Sequence, residues 1–174
     1  VNQPSYNPNR RARERSDIYR NRAVTDIFEP GSVMKAFTIS AALASNKFQP
    51  DSQIDTSPGW ISVRGNILRD EHDGGILSVR QVLRRSSNVG ITKIVLGLPE
   101  NALWTTLHRF GFGEVTDSGF PGEGGGVLTD VPETREFVLA TLGIGYGLSV
   151  TPLQLARGYA VFANHGRLPP ISFL

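Results

Sequence analysis

Followed as a pattern of apolar and polar positions, the chain breaks into short helical segments divided by turns, with one stretch of strand-like alternation. From Ser32 the run Ser-Val-Met-Lys-Ala-Phe-Thr-Ile-Ser-Ala-Ala-Leu-Ala reaches Ala44 without Gly or Pro, and its alanine content predicts a helix. Phe37, Ala41 and Ala44 share one face while Ile39 and Leu43 share another, so this helix is apolar on most sides and is expected to be buried. A turn-rich stretch with Asp51 and Pro58-Gly59 follows, and the alternation of Ile61 and Val63 predicts a small strand or hairpin near residues 60–68.

Ser78-Val79-Arg80-Gln81 has the form of a capping box, a hydroxyl at the cap and an amide three residues on, and starts a short helix ending near Arg84-Arg85. Val89, Ile91, Ile94, Val95 and Leu98 then recur at helical spacing, which puts Ser86-Ser87-Asn88 at a break between two helices. Leu103, Leu107 and Phe110 predict a further amphipathic helix stopped by Gly111. Residues 111–126 contain seven glycines and one proline and read as a loop. Its Gly122-Glu123-Gly124-Gly125-Gly126 run lacks the Gly-Lys-Ser/Thr ending of a phosphate loop. Thr151-Pro152-Leu153-Gln154 joins a cap hydroxyl, a proline at the first helical position and a glutamine at the third, which predicts a helix to about Asn164 with Gly166 as its stop.

At 174 residues the chain is the size of one domain or part of one. Lysine supplies only 3 of the 18 basic residues and the formal net charge is +2, so the total makes no case for a nucleic-acid or membrane partner. Residues 1–31 are rich in Asn, Pro and Arg and are expected to be extended or looped. The basic cluster there (Arg10, Arg11, Arg13, Arg15, Arg20 and Arg22) has only Tyr6 and Tyr19 as stacking partners, so it reads as a solvated segment and no nucleic acid is expected. Cysteine is absent, which removes disulfides, thiolate nucleophiles and cysteine metal sites. No run approaches the ~18 apolar residues of a membrane span. The chain opens at Val1 with no charged-then-apolar leader, and the expectation is a fragment truncated at both ends.

Two candidate centres can be set aside on spacing. His72 lies within Asp70-Glu71-His72-Asp73, but no His-x-x-x-His or Glu-x-x-His partner accompanies it, so the cluster is expected to be a solvated acidic turn and no metal or other cofactor is expected. Gly-x-Ser-x-Gly occurs nowhere, which argues against a Ser-His-Asp triad. Ser32 and Lys35 remain. Three residues apart on a helix, their Cβ atoms stand about 5–6 Å from each other on one face. For Lys35 to serve as a base its pKa must fall from about 10.4 toward about 7, a change of about 4–5 kcal/mol that burial supplies and the positive end of the helix dipole assists. The free amide of Ser32 at the helix start points where an oxyanion would develop. Taken alone, the pair fits a plain helix cap and a snorkelling lysine better than a catalyst.

Ser86-Ser87-Asn88 changes that balance. Ser32-Val33-Met34-Lys35 followed about fifty residues later by Ser-x-Asn resembles the penicillin-recognising acyl-serine enzymes. The stretches Arg20 to Ser32, Ser86 to Ile91 and Gly145 to Ala156 look like the transpeptidase domain of a class B penicillin-binding protein. The resemblance covers essentially the whole chain, and Asn88 with Phe28-Glu29-Pro30-Gly31-Ser32 favours the septal, cell-division type. It implies an α+β fold of the penicillin-binding transpeptidase and serine β-lactamase kind, present here mainly as its helical part with short strands and an incomplete main antiparallel sheet. It further implies Ser32 as the nucleophile that forms the acyl-enzyme, Lys35 as its base, Ser86 as a proton relay and Asn88 as a substrate-binding residue. The implied partners are peptidoglycan stem peptides ending in D-Ala-D-Ala, β-lactams and division-complex proteins including a membrane glycosyltransferase. The implied location is the periplasmic face of the cytoplasmic membrane, through an anchor outside this chain.

Two departures from the family pattern stand out. Ala36 replaces a common proline, which a helix accepts. The third family motif, Lys-Ser/Thr-Gly, is absent, since Lys35, Lys47 and Lys93 precede Ala, Phe and Ile. Losing one oxyanion donor costs about 10²–10³ in rate, so the isolated 174 residues are expected to bind β-lactams weakly or not at all. Two other classes stay open: a non-catalytic penicillin-binding-like sensor or scaffold, and a serine β-lactamase.

Overall fold

The computed structural model describes residues 7, 9, 16–130 and 135–173 of the chain. A 3-10 turn (Ser16–Tyr19) and helix α1 (Arg22–Thr25) come first, followed by a 3-10 turn (Gly31–Met34) leading into α2 (Lys35–Ala44). Strands β1 (Gln53–Asp55), β2 (Trp60–Val63), β3 (Asn66–Arg69) and β4 (Ile76–Ser78) precede helices α3 (Val79–Arg84), α4 (Asn88–Leu96) and α5 (Ala102–Arg109). The order closes with β5 (Val127–Leu128), α6 (Glu136–Ile144), β6 (Leu148–Ser149) and α7 (Pro152–Ala163). Helices dominate and each described strand has four residues or fewer, which agrees with the expected helical part of an α+β domain.

The chain divides into two compact units. In the larger, Glu29–Arg109 with Leu128–Leu148, α2 is the central helix and packs on α3, α4, α5 and α6. Its near-uniform apolarity is thereby used: Phe37, Ile39, Ala41 and Ala42 are all buried, together with Ile91, Ile94, Leu107 and Leu142 from the surrounding helices. Helices α4 and α6 approach closely at Gly143, where a Cβ would stand 2.4 Å from a Val95 methyl. The Thr38 hydroxyl donates to the Gly143 carbonyl at 2.8 Å, tying α2 to α6 through a buried polar contact.

The predicted hairpin is β2 and β3, antiparallel with Val63 opposite Asn66. Arg64 and Gly65 at its tip both have positive φ, 51° and 83°, the backbone of a two-residue turn whose twist suits a hairpin. The Arg64 guanidinium donates two hydrogen bonds to Glu136, fastening the tip to α6. A second antiparallel pair, β1 with β4, runs straight into α3 at Ser78, where the predicted capping box forms with both of its hydrogen bonds.

In the smaller unit, formed by Val1–Phe28, Phe110–Val127 and Ser149–Leu174, α1 packs on α7 and Phe28 bridges Val150 through two backbone hydrogen bonds of 3.0 Å. Thr151 and Gln154 complete the second predicted capping box. Gln154 is buried and its amide donates to the carbonyls of Glu114 and Gly125, and Glu123 accepts from both the amides and the hydroxyls of Thr116 and Ser118. The glycine-rich loop is therefore held by side chains. One expectation is corrected here: the stretch before Ser32 contains helical turns, Ser16–Tyr19 and Arg22–Thr25, because Asn21 carbonyl bonds to Val24 and Thr25 close a turn locally. Arg10, Arg11, Arg13 and Arg15 lie outside the described residues.

Candidate active site

All four residues singled out from the sequence lie in the larger unit, on elements that two helix ends bring together. Ser32 sits in the 3-10 turn and Lys35 opens α2, its amide donating to the Ser32 carbonyl. The expected α-helix from Ser32 thus begins one turn later. With three residues per turn, positions i and i+3 eclipse, so the tight turn aligns Ser32 and Lys35 on one edge. Ser32 is exposed, whereas Lys35 is 1% exposed. Among the described residues neither the amide nor the hydroxyl of Ser32 has a hydrogen-bond partner, which leaves both available to a ligand.

The second contribution comes from the link between α3 and α4. The Ser86 amide donates to Leu83 and the Ser87 amide to Val82, the paired bonds of a Schellman helix end with Ser86 in its left-handed position at φ 56°. Glycine is the residue that backbone favours, and a serine there carries strain of about 1–3 kcal/mol. Its hydroxyl accounts for the choice, since it lies 2.9 Å from Lys35 Nζ. Ser87 then caps α4 by accepting from the Gly90 amide, and Asn88 is the first residue of that helix.

Lys35 Nζ also donates to the Ser86 carbonyl at 2.5 Å and to Asn88 Oδ1 at 2.7 Å. Both oxygens are acceptors only, so they use two N–H bonds whatever the charge of the amine. As an ammonium, Lys35 donates its third proton to Ser86 Oγ; as a neutral amine, it turns its lone pair on the same hydroxyl. The triad Lys35, Ser86, Asn88 therefore has a place for either protonation state. Burial lowers the lysine pKa from 10.5 to about 8, and the nearby Asp70 charge pushes it the other way. Burial thus leads and Asp70 opposes it. Asn88 Nδ2 donates to the Arg69 carbonyl at 2.8 Å, which fixes the amide with its oxygen toward Lys35 and leaves one N–H for a ligand.

Asp70 is the residue that spacing had not revealed. The Asp70-Glu71-His72-Asp73 cluster was expected to be a solvated turn, and Glu71, His72 and Asp73 are exposed. Asp70 is half-buried and accepts from Ser87 Oγ, the Asn88 amide and the Val89 amide. Nothing in the local pattern joins position 70 to position 88. Among the described residues no group of His, Asp and Glu is arranged to hold a metal ion.

A third helix end supports the turn before Ser32. Helix α6 finishes in another Schellman arrangement, with Gly145 at φ 106° and bonds from Gly145 to Leu142 and from Tyr146 to Thr141. Gly31 donates to the Gly145 carbonyl at 2.9 Å, and the Gly147 amide donates to the Glu29 carboxylate at 2.8 Å. A Cβ on Gly145 would lie 2.0 Å from the Gly31 oxygen, so glycine is required by contact as well as by φ. Ser32, Ser86, Ser87, Asn88 and the Arg69–Gly74 stretch line one cavity of about 690 Å³. An exposed hydroxyl one 3-10 turn before a buried amine of lowered pKa, with a second hydroxyl bonded to that amine, is suited to acyl transfer.

The family model for the penicillin binding protein transpeptidase domain matches residues 1–174. The probable peptidoglycan D,D-transpeptidase PbpC of Pseudomonas aeruginosa is 43% identical over 174 residues, all of this chain and 31% of that protein. The peptidoglycan D,D-transpeptidase FtsI of Escherichia coli K12 is 39% identical over 172 residues, 99% of this chain and 29% of that protein. Among solved structures, the apo TP domain of Burkholderia pseudomallei penicillin-binding protein 3 matches with a TM-score of 0.83 at 39% identity, over 88% of this chain and 46% of the other. The chain thus spans about 30% of the length of these two curated relatives.

Proposed function

The chain belongs to the penicillin-binding protein transpeptidase domain family, and from that premise we propose that it carries the acylation site of a serine D,D-transpeptidase that cross-links peptidoglycan stem peptides. Ser32 Oγ attacks the carbonyl of the penultimate D-Ala while its proton passes to neutral Lys35, whose lone pair turns from Ser86 Oγ to receive it. The tetrahedral oxyanion draws on the free Ser32 amide, and collapse breaks the C–N bond to the terminal D-Ala, whose nitrogen receives the proton through Ser86. The amine of a second stem peptide then attacks the ester, forms the cross-linking amide and returns the proton to Ser32. Asn88 contributes its remaining N–H to the backbone of the donor peptide.

The observation that carries this reading is the buried Lys35, bonded to both Ser86 and Asn88 while Ser32 stands exposed on the same cavity. A cap and a snorkelling lysine would put the ammonium in water, and a scaffold would have no use for Ser86 at a strained φ. β-Lactams acylate Ser32 by the same attack and leave slowly. Asn88 and the Phe28-Glu29-Pro30-Gly31-Ser32 run support septal synthesis, in company with a membrane glycosyltransferase and other division proteins. No helix of the described residues is long and apolar enough to cross a membrane, and the proposed position at the periplasmic face of the cytoplasmic membrane rests on an anchor elsewhere in the protein.

The test uses the full-length protein. Intact-mass measurement after exposure to a penicillin is expected to show one adduct, mapped by peptide digestion to Ser32 and absent from Ser32→Ala. The same variant is expected to lose cross-linking of a donor pentapeptide to an amine acceptor. Cross-linking unchanged by Ser32→Ala would refute the proposal and favour the scaffold.

A further inference from the structure

We propose that Asp70 is a positioning residue for acylation: its carboxylate holds the Ser86–Asn88 turn, and through that turn the three hydrogen bonds that aim the Lys35 amine. The inference rests on the acyl-transfer reading above. Asp70 touches neither Ser32 nor Lys35 Nζ. Its oxygens accept from Ser87 Oγ at 2.5 Å, from the Asn88 amide at 2.5 Å and from the Val89 amide at 3.1 Å. Two of these are amides of the first turn of α4, where no intrahelical acceptor exists and a negative charge meets the positive end of the helix. The carboxylate therefore fixes the one segment whose neighbours, Ser86 and Asn88, make all three hydrogen bonds of the lysine amine.

The charge has a second effect. Arg69, Glu71, His72 and Asp73 from the hairpin side and Arg85 from the end of α3 line the same cavity, and among these neighbours it is the Asp70 carboxylate that favours the Lys35 ammonium, against the pull of burial. An uncharged residue at position 70 thus makes the amine neutral at lower pH while loosening the turn that aims it. These two consequences separate experimentally. Asparagine matches aspartate in size but its Nδ2 cannot accept a hydrogen bond, so the three donors above can no longer all be satisfied.

The experiment measures the second-order rate constant for acylation of the full-length protein by a fluorescent penicillin across pH 6–10, which reports the ionisations of the free enzyme. Asp70→Asn is expected to lower the plateau by about 10²-fold, the scale of a 1 Å misplacement, and to move the acid limb to lower pH. Asp70→Glu, which keeps the charge at altered reach, is expected to lower the plateau and leave the limb in place. A limb unmoved in Asp70→Asn would mean a structural role only and would overturn the proposal, as would a wild-type plateau. Should Asp70→Asn fail to fold by thermal melting, Asp70→Glu decides, since a displaced limb or an undiminished plateau there contradicts it. Wild-type protein that takes up no label at Ser32 would instead overturn the acyl-transfer reading itself.

Discussion

Gly145→Ala is the sharpest test of how the turn before Ser32 is held. The added Cβ would stand 2.0 Å from the Gly31 oxygen, 2.6 Å from its carbonyl carbon and 2.9 Å from its Cα, all backbone atoms that no rotamer change can move aside. Ordinary C···O contact is about 3.3 Å, so the two backbones must part by about 1 Å. That separation breaks the 2.9 Å bond from Gly31 to Gly145, worth about 1 kcal/mol, and alanine at φ 106° adds about 1–2 kcal/mol of left-handed strain. With residual clash the loss of stability is about 2–4 kcal/mol. Because Gly31 adjoins Ser32, the same displacement reaches the nucleophile and is expected to slow acylation by about 10²-fold. Gly147→Ala is the matched control: φ is 78°, but nothing lies within 4 Å of the new Cβ, so only the conformational cost of about 1–2 kcal/mol applies. Thermal unfolding and stopped-flow acylation by a fluorescent penicillin on both variants give the answer. Equal losses in the two, or Gly145→Ala acylating within threefold of wild type, would show that the Gly31 contact does not position Ser32.

Four further outcomes follow from the same geometry. Ser86→Gly is expected to melt about 1 kcal/mol above Ser86→Ala, because glycine relieves the φ of 56°, while both lose acylation with the hydroxyl. For Lys35, the unfolded chain keeps its proton to about 10.5 and the folded protein releases it near 8, so the unfolded state binds more protons between those values. The folded state therefore gains stability as pH rises through that window, by up to about 3 kcal/mol, and denaturant titrations of wild type against Lys35→Met should diverge by that amount from pH 7 to 10.5. Glu29→Ala removes the acceptor of the Gly147 amide and should slow acylation about tenfold, with Glu29→Gln recovering most of the loss through its remaining oxygen. Glu136→Gln, by contrast, breaks an exposed ion pair with Arg64 and should change stability by less than about 1 kcal/mol in a salt-dependent way.

The local elements were readable because their signals are local. Both capping boxes, at Ser78 and Thr151, form where a hydroxyl and an amide stand three residues apart, and the Ile61 and Val63 alternation marks a real hairpin. Helix α6 was not anticipated: Phe137 to Ile144 is apolar nearly throughout, so no polar face announces its period, and only packing on α4 through Gly143 declares it a helix. Strands β1 and β4 are three residues each and exist only because they pair with one another across 20 intervening residues.

The site divides in the same way. Sequence by itself determined Ser32 and Lys35 as a hydroxyl and an amine on one edge, and it placed Ser86-Ser87-Asn88 at a helix break, since both follow from spacing along a single element. Tertiary structure decided what surrounds them. Burial of Lys35 depends on four helices closing over α2, the lysine's three hydrogen bonds span more than fifty residues, and the Gly31 contact with Gly145 joins two chain segments that share no pattern. Asp70 shows the division most plainly: as one of four consecutive polar residues it looks like any solvated turn. Its role arises only when the hairpin brings its carboxylate to the free amides of α4, because an unsatisfied helix end accepts a charge from whichever segment the fold delivers.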